Sequence, residues 1–322
     1  MTGTILVGDF GGTHITIHVC STPPFTTQHT YEYKTKDVKS ALPLVKKLSS
    51  RHPTITEACF AVAGPVSDNS VKMTNSDLQL DARSLVAETD IDAAIVLNDF
   101  EALGYGVNIE DQATYVVQQG QAKKTHTKAL IGAGTGLGKA ILYYDHRTDS
   151  YTPLPSEGGH SDIPIQPEEE HLVQHISNQV GRARLRYEDI VSGPGLKRIY
   201  NALKDVYAGP NNVTTTEISE QRHTNARARE AMNLFTRFYA RAARNFALDT
   251  YAKGGIYIAG GIAPKNMDIF KDFRSEFTNH PTHKNMLETI PITVMKDYTI
   301  SLRGAAYALK HRKNRCITKE DI

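Results

Sequence analysis

Two glycine-rich turns hold the residues of this 322-residue chain that are best suited to chemistry. The first is Asp9-Phe10-Gly11-Gly12-Thr13, and the second is Gly132-Ala133-Gly134-Thr135-Gly136-Leu137-Gly138. Each turn is flanked by short apolar runs that favour strands, so each predicts a hairpin. Glycine permits φ > 0, which lets several backbone N–H groups face one anion. Either turn alone could be a plain hairpin, but two together predict a polyphosphate held from both sides.

The sequence around the turns narrows the kind of phosphate site. The run Ala140-Ile141-Leu142 after the second turn predicts a strand, whereas the G-x-G-x-x-G dinucleotide fingerprint opens a helix. The P-loop pattern G-x-x-x-x-G-K-[ST] is absent from the sequence. Asp9, at the end of the first predicted strand, could hold Mg²⁺ directly or through water, because Mg²⁺ prefers oxygen ligands and keeps several waters.

A carboxylate at the end of another predicted strand is a candidate general base. Asp99 follows the apolar run Ile95-Val96-Leu97 and Asn98. Ligands of α/β sheets bind at the carboxyl ends of strands, which is where Asp99 falls. The same residues also fit a capping box, in which Asn98 caps a helix and Glu101 reaches back to it. The two roles are compatible, with Asn98 capping and Asp99 acting on a substrate.

A polar cluster further along the chain suits a sugar. Glu157, His160 and Glu188 could accept and donate hydrogen bonds to vicinal hydroxyls. Glu157 and His160 could equally be ordinary loop residues, and no third residue has a spacing suited to a zinc site with them. Three arginines precede Glu188, and the acids around them favour a solvated basic face. They are Arg182, Arg184 and Arg186.

Strand and helix patterns alternate in both halves of the chain, which predicts the α/β class. Helical spacing is predicted over 37–50, from Phe100, from Pro167 to about Val180, over 225–252 and over 300–311. Glycines and a short acidic stretch near 103–112 predict a linker. The order of strand, glycine turn, strand and helices occurs twice, which hints at two related halves.

Bulk composition excludes several classes of protein. The chain is 40% hydrophobic and 22% charged with a net charge of +2, so no global field favours nucleic acid or an anionic membrane. No apolar run approaches membrane-spanning length, and the N-terminus does not look like a secretory leader. The three cysteines, Cys20, Cys59 and Cys316, are too few and too dispersed for a disulfide framework. We therefore expect a cytoplasmic protein that binds neither nucleic acid nor membrane.

In order and spacing, eight motifs of the chain resemble those of bacterial glucokinases, members of the hexokinase, Hsp70 and actin ATPase superfamily. The resemblance covers essentially the whole length. The motifs are Val7-Gly8-Asp9 with Gly11-Gly12-Thr13, Ala63-Gly64-Pro65-Val66, Met73-Thr74-Asn75, Leu97-Asn98-Asp99-Phe100, Gly132 to Gly138, Glu157-Gly158-Gly159-His160, Ser192-Gly193-Pro194-Gly195-Leu196 and Ile258-Ala259-Gly260-Gly261-Ile262.

The resemblance implies an actin-like, ribonuclease H-like ATPase fold of two α/β domains, with the active site in the cleft between them. The small domain would comprise residues 1–108, completed by a C-terminal helix in 301–322, and the large domain would comprise 109–300. It further implies the phosphorylation of glucose by ATP at the 6-hydroxyl, with Mg²⁺, and a homodimer. The alternatives are a related kinase acting on another hexose and a hexose-binding regulator. A regulator would need a DNA-binding domain, for which we expect no room because the first predicted strand begins at residue 4.

The resemblance also implies a role for each candidate residue. Asp99 would be the catalytic base, and Asp9 would position Mg²⁺ through water. Sugar hydroxyls would be held by Asn98, Asp99, Glu157, His160 and Glu188. Nucleotide would be bound by Gly8, Asp9, Gly11, Gly12, Thr13, Gly134, Thr135, Gly136, Gly260 and Gly261.

Two positions depart from the family pattern. His14 stands where these glucokinases usually have asparagine, beside the first phosphate turn. Ser156 replaces the more usual glycine before Glu157. The cysteine-rich zinc motif of the repressor–kinase branch is excluded, since no cysteine lies between Cys59 and Cys316.

Overall fold

The computed structural model describes residues 3–22, 25–73, 78–297 and 299–322. Thr74 and Asn75, which belong to one of the family motifs, lie outside these residues. The chain divides into two compact units. The first comprises Met1–Gln112, Ser150–Pro155 and Asp297–Ile322, and the second comprises Ala113–Asp149 and Ser156–Lys296. The domain boundaries at 108 and 300 stay a prediction.

Strands and helices alternate along the described chain, which confirms the α/β class. The strands are β1 (Gly3–Phe10), β2 (His14–Thr22), β3 (Thr26–Lys34), β4 (Ile55–Val62), β5 (Ser70–Lys72), β6 (Gln79–Asp81), β7 (Ala93–Asn98), β8 (Thr114–Gln118), β9 (Lys128–Ala133), β10 (Leu137–Asp145), β11 (Ser150–Ser156), β12 (Ile256–Ala259), β13 (Ile292–Met295) and β14 (Ile317–Thr318). The helices are α1 (Ala41–Arg51), α2 (Ala82–Glu88), α3 (Asp99–Gly106), α4 (Glu170–Val180), α5 (Tyr187–Ile190), α6 (Gly193–Ala202), α7 (Thr215–Gln221), α8 (Ala226–Asp249), α9 (Phe270–Thr278), α10 (Lys284–Glu288) and α11 (Ile300–His311).

The first unit is built on a sheet with the strand order β14-β7-β4-β1-β2-β3. The predicted hairpin is present as the antiparallel pair β1 and β2, and β1, β4 and β7 are parallel. Phe10 lies opposite Val62, and Val62 lies opposite Asn98, so these strands end at a common edge. The buried, β-branched runs that form them are typical of central parallel strands.

Helices α3 and α11 pack closely within the first unit. Gly304 of α11 lies so near α3 that a Cβ there would be 1.9 Å from the carbonyl oxygen of Ala102. The predicted linker near 103–112 is therefore wrong in its first residues, since 103–106 form the end of α3. Asn108 is also fixed, because its side chain donates to the Tyr151 carbonyl at 2.8 Å and accepts from the Tyr151 amide at 2.7 Å.

The second unit repeats the same strand arrangement. Its strands β10, β9, β12, β13 and β8 lie in that order in one sheet. The predicted second hairpin is the antiparallel pair β9 and β10, and β9 is parallel to β12, which is parallel to β13. The expectation of two related halves is thus met, because each unit pairs a glycine-turn hairpin with two parallel strands. Helix α8 supplies much of the core through Phe235, Phe238 and Tyr239.

A buried ion pair ties α8 to the turn before α4. The Arg241 guanidinium donates to the two carboxylate oxygens of Glu169 at 2.7 and 2.9 Å, and both side chains are 2% exposed. Burial alone would raise the pKa of Glu169, but the bonds from Arg241 and from the Gln166 amide hold this pKa below its ordinary value of 4.5. The carboxylate is therefore ionised at neutral pH.

Several predicted helices begin or end at different residues in the structure. The segment predicted to be helical over 37–50 begins at Ala41, after a short 3-10 turn. The helix predicted from Pro167 begins with a 3-10 turn over Pro167–Glu169. Among the described residues, no helix combines the length and the apolar character needed to cross a bilayer.

Replacing Gly304 with alanine tests the close packing of α3 and α11. Alanine is the better helix former by ~1 kcal/mol. We nevertheless expect Gly304→Ala to lower the free energy of unfolding by roughly 1–3 kcal/mol, because the new Cβ meets backbone that cannot rotate away. Urea denaturation measures this change. Gly3→Ala is the control, since no atom of the described residues beyond its chain neighbours lies within 4 Å of its Cβ position. Equal or greater stability of Gly304→Ala would contradict the packing described here.

The Glu169→Gln variant tests the buried ion pair. We expect it to lose about 3–5 kcal/mol of stability at pH 7, because the buried Arg241 charge loses its two charged hydrogen bonds to Glu169 and keeps the longer ion pair with Glu276 at 3.6 Å. The lowered pKa of Glu169 means that the contribution is complete above about pH 4.5 and is lost as pH falls through the folded-state value. Denaturation of both proteins across acidic pH measures the difference. Glu168→Gln, whose side chain is 64% exposed, should behave like the parent chain at every pH.

Candidate active site

The first unit brings the two candidate carboxylates to one edge of its sheet. Asp9 lies near the end of β1, and Asp99 follows β7, which is parallel to β1 and separated from it by β4. Two strand spacings place these strand ends ~10 Å apart. The carboxyl edge of a parallel sheet is where ligands of α/β proteins bind. Asp9 and Asp99 are therefore positioned by register, although 90 positions separate them in the sequence numbering.

Asp9 is held by a hydroxyl from the last helix. Ser301 of α11 is 5% exposed and donates to Asp9 Oδ2 at 2.5 Å. Burial raises the pKa of Asp9 above its ordinary value, and the bond from Ser301 offsets part of that rise. Sequence reasoning missed Ser301, which gives no signal in the pattern of an ordinary amphipathic helix.

The first glycine turn is closed at its base and open at its tip. The Gly11 amide donates to the His14 carbonyl at 3.0 Å, and Thr35 donates from its hydroxyl to the Gly11 carbonyl at 2.7 Å. Within the part of the chain that the structure describes, the Gly12 and Thr13 amides make no hydrogen bond. Gly8, another candidate for the nucleotide, is buried within β1 against the rings of Phe10 and Phe60.

His14, the departure from asparagine in the family pattern, is exposed at this turn. Its Nδ1 lies 3.1 Å from the Thr13 hydroxyl. The imidazole therefore contacts Thr13, a candidate nucleotide residue of this turn.

The start of α3 confirms one half of the predicted capping box and contradicts the other. Asn98 accepts hydrogen bonds from the amides of Phe100 at 3.0 Å and Glu101 at 3.4 Å, and donates to the Gly64 carbonyl at 3.0 Å. Glu101 does not return to Asn98; its buried carboxylate pairs instead with Arg315. Asp99 is half-buried, and its Oδ1 accepts from the Phe100 amide at 3.0 Å. The first helical turn thus fixes the backbone of the candidate base.

The second unit places its glycine turn beside another glycine pair. Gly132, at the end of β9, lies opposite Ala259 at the end of β12, and Gly260 and Gly261 follow directly. The Gly134 amide donates to the Gly136 carbonyl at 2.8 Å, and the Gly134 carbonyl accepts from Gly193 at 2.8 Å. The amides of Thr135 and Gly136 make no hydrogen bond to any of the described residues. Each turn therefore offers two successive amides that could bind a phosphate.

Glu188 connects the second glycine turn to the polar cluster. Its Oε2 accepts from the Leu137 amide at 3.0 Å. The same oxygen lies so close to Gly136 that a Cβ there would be 2.4 Å away. Gly136 thus makes room for the carboxylate, whatever its backbone angles.

The predicted sugar residues of the second unit form one group. His160 lies between two carboxylates, with Nε2 3.6 Å from Glu157 and Nδ1 3.9 Å from Glu188. The side chains of Glu157 and His160 are 68% and 45% exposed, so a ligand can reach them. Ser156 supports the loop, because its hydroxyl accepts from the Gly158 amide at 3.2 Å. The serine in place of glycine therefore adds a hydrogen bond to this loop.

A buried lysine under the same loop gave no signal in the sequence. The Lys139 ammonium lies 4.6 Å from the centre of the Tyr187 ring and 5.1 Å from that of Phe246. Burial lowers the pKa of Lys139 to about 8, a shift that the charge of Asp249 partly opposes. Nothing in the pattern of β10 distinguishes this position from an outward-facing lysine.

The chain matches a family model and curated relatives that are named glucokinase. A family model described as Glucokinase matches residues 6–312. The glucokinase of Nostoc punctiforme is 30% identical over 334 residues, covering 94% of this chain and 97% of its own length. That of Agrobacterium fabrum is 32% identical over 317 residues, covering 94% of this chain and 90% of its own length.

Solved structures agree in fold. A glucokinase from an Antarctic psychrotroph superposes with a TM-score of 0.80 at 26% identity, covering 95% of this chain and 98% of its own. A ROK family glucokinase from Streptomyces griseus, solved with glucose and AMPPNP, gives 0.64 at 18% identity, covering 97% and 100%. The resemblance seen in the sequence motifs is therefore confirmed. Since the family model and the relatives span nearly all of it, this chain belongs to the glucokinase family of enzymes.

Proposed function

We propose that this chain transfers the terminal phosphoryl group of ATP to the 6-hydroxyl of glucose, giving glucose 6-phosphate and ADP. The observation that carries the proposal is the placing of Asp9 and Asp99 at the carboxyl edge of one sheet, beside a turn with two unbonded amides. The glucokinase relatives support the reaction class. A cytoplasmic location, a homodimer and a site in a cleft between two domains stay predictions.

In this mechanism Asp99 is the general base. It accepts the proton of the 6-hydroxyl while the sugar oxygen forms a bond to the terminal phosphorus. The bond between that phosphorus and the bridging oxygen breaks, and ADP leaves with the electron pair. Phosphoryl transfer depends mainly on positioning and on stabilisation of charge, so the base adds only part of the acceleration. The cap by Asn98 supports this role, because it fixes the turn that carries Asp99.

The glycine turns would bind the phosphates. The proposed contacts are the amides of Gly12 and Thr13 on one turn and those of Thr135 and Gly136 on the other, because these groups have no partner among the described residues. Gly11 and Gly134 would shape the two turns, Gly8 would support the first of them from within β1, and Gly260 and Gly261 would lie against the adenosine.

Asp9 fits a magnesium site that relies on few protein ligands. Its carboxylate supplies the oxygen donors that Mg²⁺ prefers, and Ser301 fixes the orientation of one of them. The described residues contain no group of three or more His, Cys, Asp or Glu that could hold a metal. Asp9 would therefore hold Mg²⁺ together with water and phosphate oxygens, and the bound ion would offset phosphate charge.

A coupled assay of ADP release tests the proposal. We expect release from MgATP to rise strongly when glucose is added. Mannose, fructose and amino sugars are compared under the same conditions, and ADP and polyphosphate replace ATP in parallel. Sugar binding without any sugar-stimulated ADP release would overturn the kinase proposal in favour of a hexose-binding regulator. A larger kcat/KM for another hexose would overturn the assignment of glucose alone.

The Asp99→Asn variant tests the base. We expect kcat to fall by roughly 10²–10⁴-fold, because the amide cannot accept the hydroxyl proton. The KM for glucose should change little, and the fold should be retained, since the hydrogen bonds of Asn98 are untouched. Asp90→Asn, at an exposed position, is the control and should retain full activity. Near-normal turnover of Asp99→Asn would rule out its role as base.

Substituting glycines of the second turn separates sugar binding from nucleotide binding. Gly136→Ala forces its Cβ against Glu188, so we expect the KM for glucose to rise by roughly tenfold or more as the carboxylate shifts. Gly134→Ala is the matched variant, because its Cβ would meet no atom within 4 Å in the described part of the chain beyond its own neighbours, and it should leave the KM for glucose unchanged. Steady-state kinetics with each substrate varied gives both constants. Equal effects of the two substitutions on glucose would contradict the contact with Glu188.

A further inference from the structure

Three arginines near the polar cluster have very different surroundings. The side chain of Arg184 is 85% exposed, and its ion pair, with Asp162, spans 3.8 Å. Arg182 and Arg186 instead bind Asp189, whose side chain is 3% exposed. The predicted solvated basic face is thus correct for Arg184 and wrong for Arg186, which is largely covered.

Asp189 fixes the orientation of the Arg186 guanidinium. Its oxygens accept from Arg186 Nε at 3.2 Å and from Nη2 at 3.1 Å, and also from the Arg186 backbone amide at 2.9 Å. A two-point contact of this kind holds the guanidinium plane as well as the charge. Burial alone would raise the pKa of Asp189, but the bonds from Arg186 and the nearby charge of Arg182 keep this pKa below its ordinary value. The guanidinium is therefore anchored by an ionised carboxylate.

The other terminal nitrogen of the Arg186 guanidinium contacts the polar cluster of Glu157, His160 and Glu188. Its Nη1 lies 2.9 Å from His160 Nδ1. A bridge between Asp162 and Arg186 joins the backbones of the two segments, and the Tyr187 amide donates to the Ser161 carbonyl at 3.0 Å. Both partners of the Arg186–His160 contact are therefore held on paired backbone.

This contact determines the chemistry of the His160 ring. A guanidinium has hydrogen-bond donors and no acceptor, so Nδ1 of His160 must be the acceptor and carries no proton. In the neutral ring the proton then lies on Nε2, which is 3.6 Å from a carboxylate oxygen of Glu157. The ring accordingly presents an N–H donor on the exposed side of the cluster.

We propose that Arg186 is a positioning residue that makes His160 a fixed Nε2–H donor to a sugar oxygen. The cluster then offers one donor between two acceptors, the carboxylates of Glu157 and Glu188. A hydroxyl of the sugar can accept from His160 while it donates to one of these carboxylates. The inference rests on the proposed function, because it assigns a sugar contact to His160, but the tautomer of the ring can be measured without turnover.

Nuclear magnetic resonance of the ligand-free protein, labelled with ¹⁵N at histidine, tests the tautomer. The resonances of His160 are assigned by comparison with His160→Gln. We expect the Nε2–H form in the parent chain and a mixture containing the Nδ1–H form in Arg186→Met. The variant should fold, because Asp189 keeps its contacts with Arg182 at 3.0 and 3.2 Å. Arg184→Met and Arg182→Met are the controls, and both should keep the parent tautomer. An Nδ1–H ring in the parent chain, or no change in Arg186→Met, would overturn the inference.

Kinetics with modified sugars provide the second readout. In Arg186→Met the KM for glucose should rise roughly three- to tenfold, as expected for one lost hydrogen bond, while kcat at saturating sugar changes less. Fluorine can accept a hydrogen bond but cannot donate one. Two sugars are therefore compared that carry fluorine or hydrogen in place of the hydroxyl that His160 contacts. The parent chain should use the fluoro sugar better than the deoxy sugar, and Arg186→Met should lose this preference.

The kinetic results distinguish the ways in which the inference could be wrong. An equal rise in the KM for glucose in Arg182→Met and Arg186→Met would assign the effect to Asp189 and overturn the role of Arg186. If the parent chain used no fluoro sugar better than the corresponding deoxy sugar, the proposed contact between His160 and the sugar would be overturned. Failure of the proposed function would instead be seen in the parent chain, as ADP release that does not depend on sugar, whatever the tautomer of His160.

Discussion

Parallel pairing of β1, β4 and β7 is the constraint on which the first half of the candidate site depends. Because Phe10 lies opposite Val62, and Val62 opposite Asn98, the polar residues after both outer strands leave the sheet at one edge. A shift of one residue in either pairing would send side chains to the opposite face. The apolar runs of the strands are thus as necessary to the site as the carboxylates. Helix α11 completes the arrangement, since it packs against α3 at Gly304 and reaches Asp9 through Ser301.

In the second unit the corresponding constraint is the position of Glu188. Its carboxylate accepts from the Leu137 amide and fills the space beside Gly136, so a predicted sugar residue is held by the predicted phosphate turn. Gly136 therefore leaves room for the Glu188 side chain, and its own amide makes no hydrogen bond to the described residues. A change at this turn would affect the polar cluster as well as the turn itself, because the two share a carboxylate.

Buried carboxylates with assigned partners recur through both units. Glu101, Glu169 and Asp189 are each 2–3% exposed, and each is bound by an arginine. Moving two charges out of water costs free energy, which the hydrogen bonds of the buried pair must offset. A buried ion pair is therefore weak evidence that the folded state is more stable. Two of the pairs nevertheless fix a segment that carries a candidate site residue. Arg315 holds the first turn of α3, and Asp189 holds the arginine that contacts His160.

Local patterns predicted the two hairpins, the cap at Asn98, and the helices α8 and α11, because turn chemistry, capping and apolar periodicity depend on residues only a few positions apart. The motifs also identified the family before any geometry was known. The sequence alone could not supply the partners of the site residues. Ser301 lies 292 positions from Asp9, and Arg315 lies 214 positions from Glu101, so no local pattern could connect them. The tertiary structure decided these contacts, and with them the orientation of each side chain, because a hydrogen bond depends on the meeting of two surfaces that the chain brings together only when it folds.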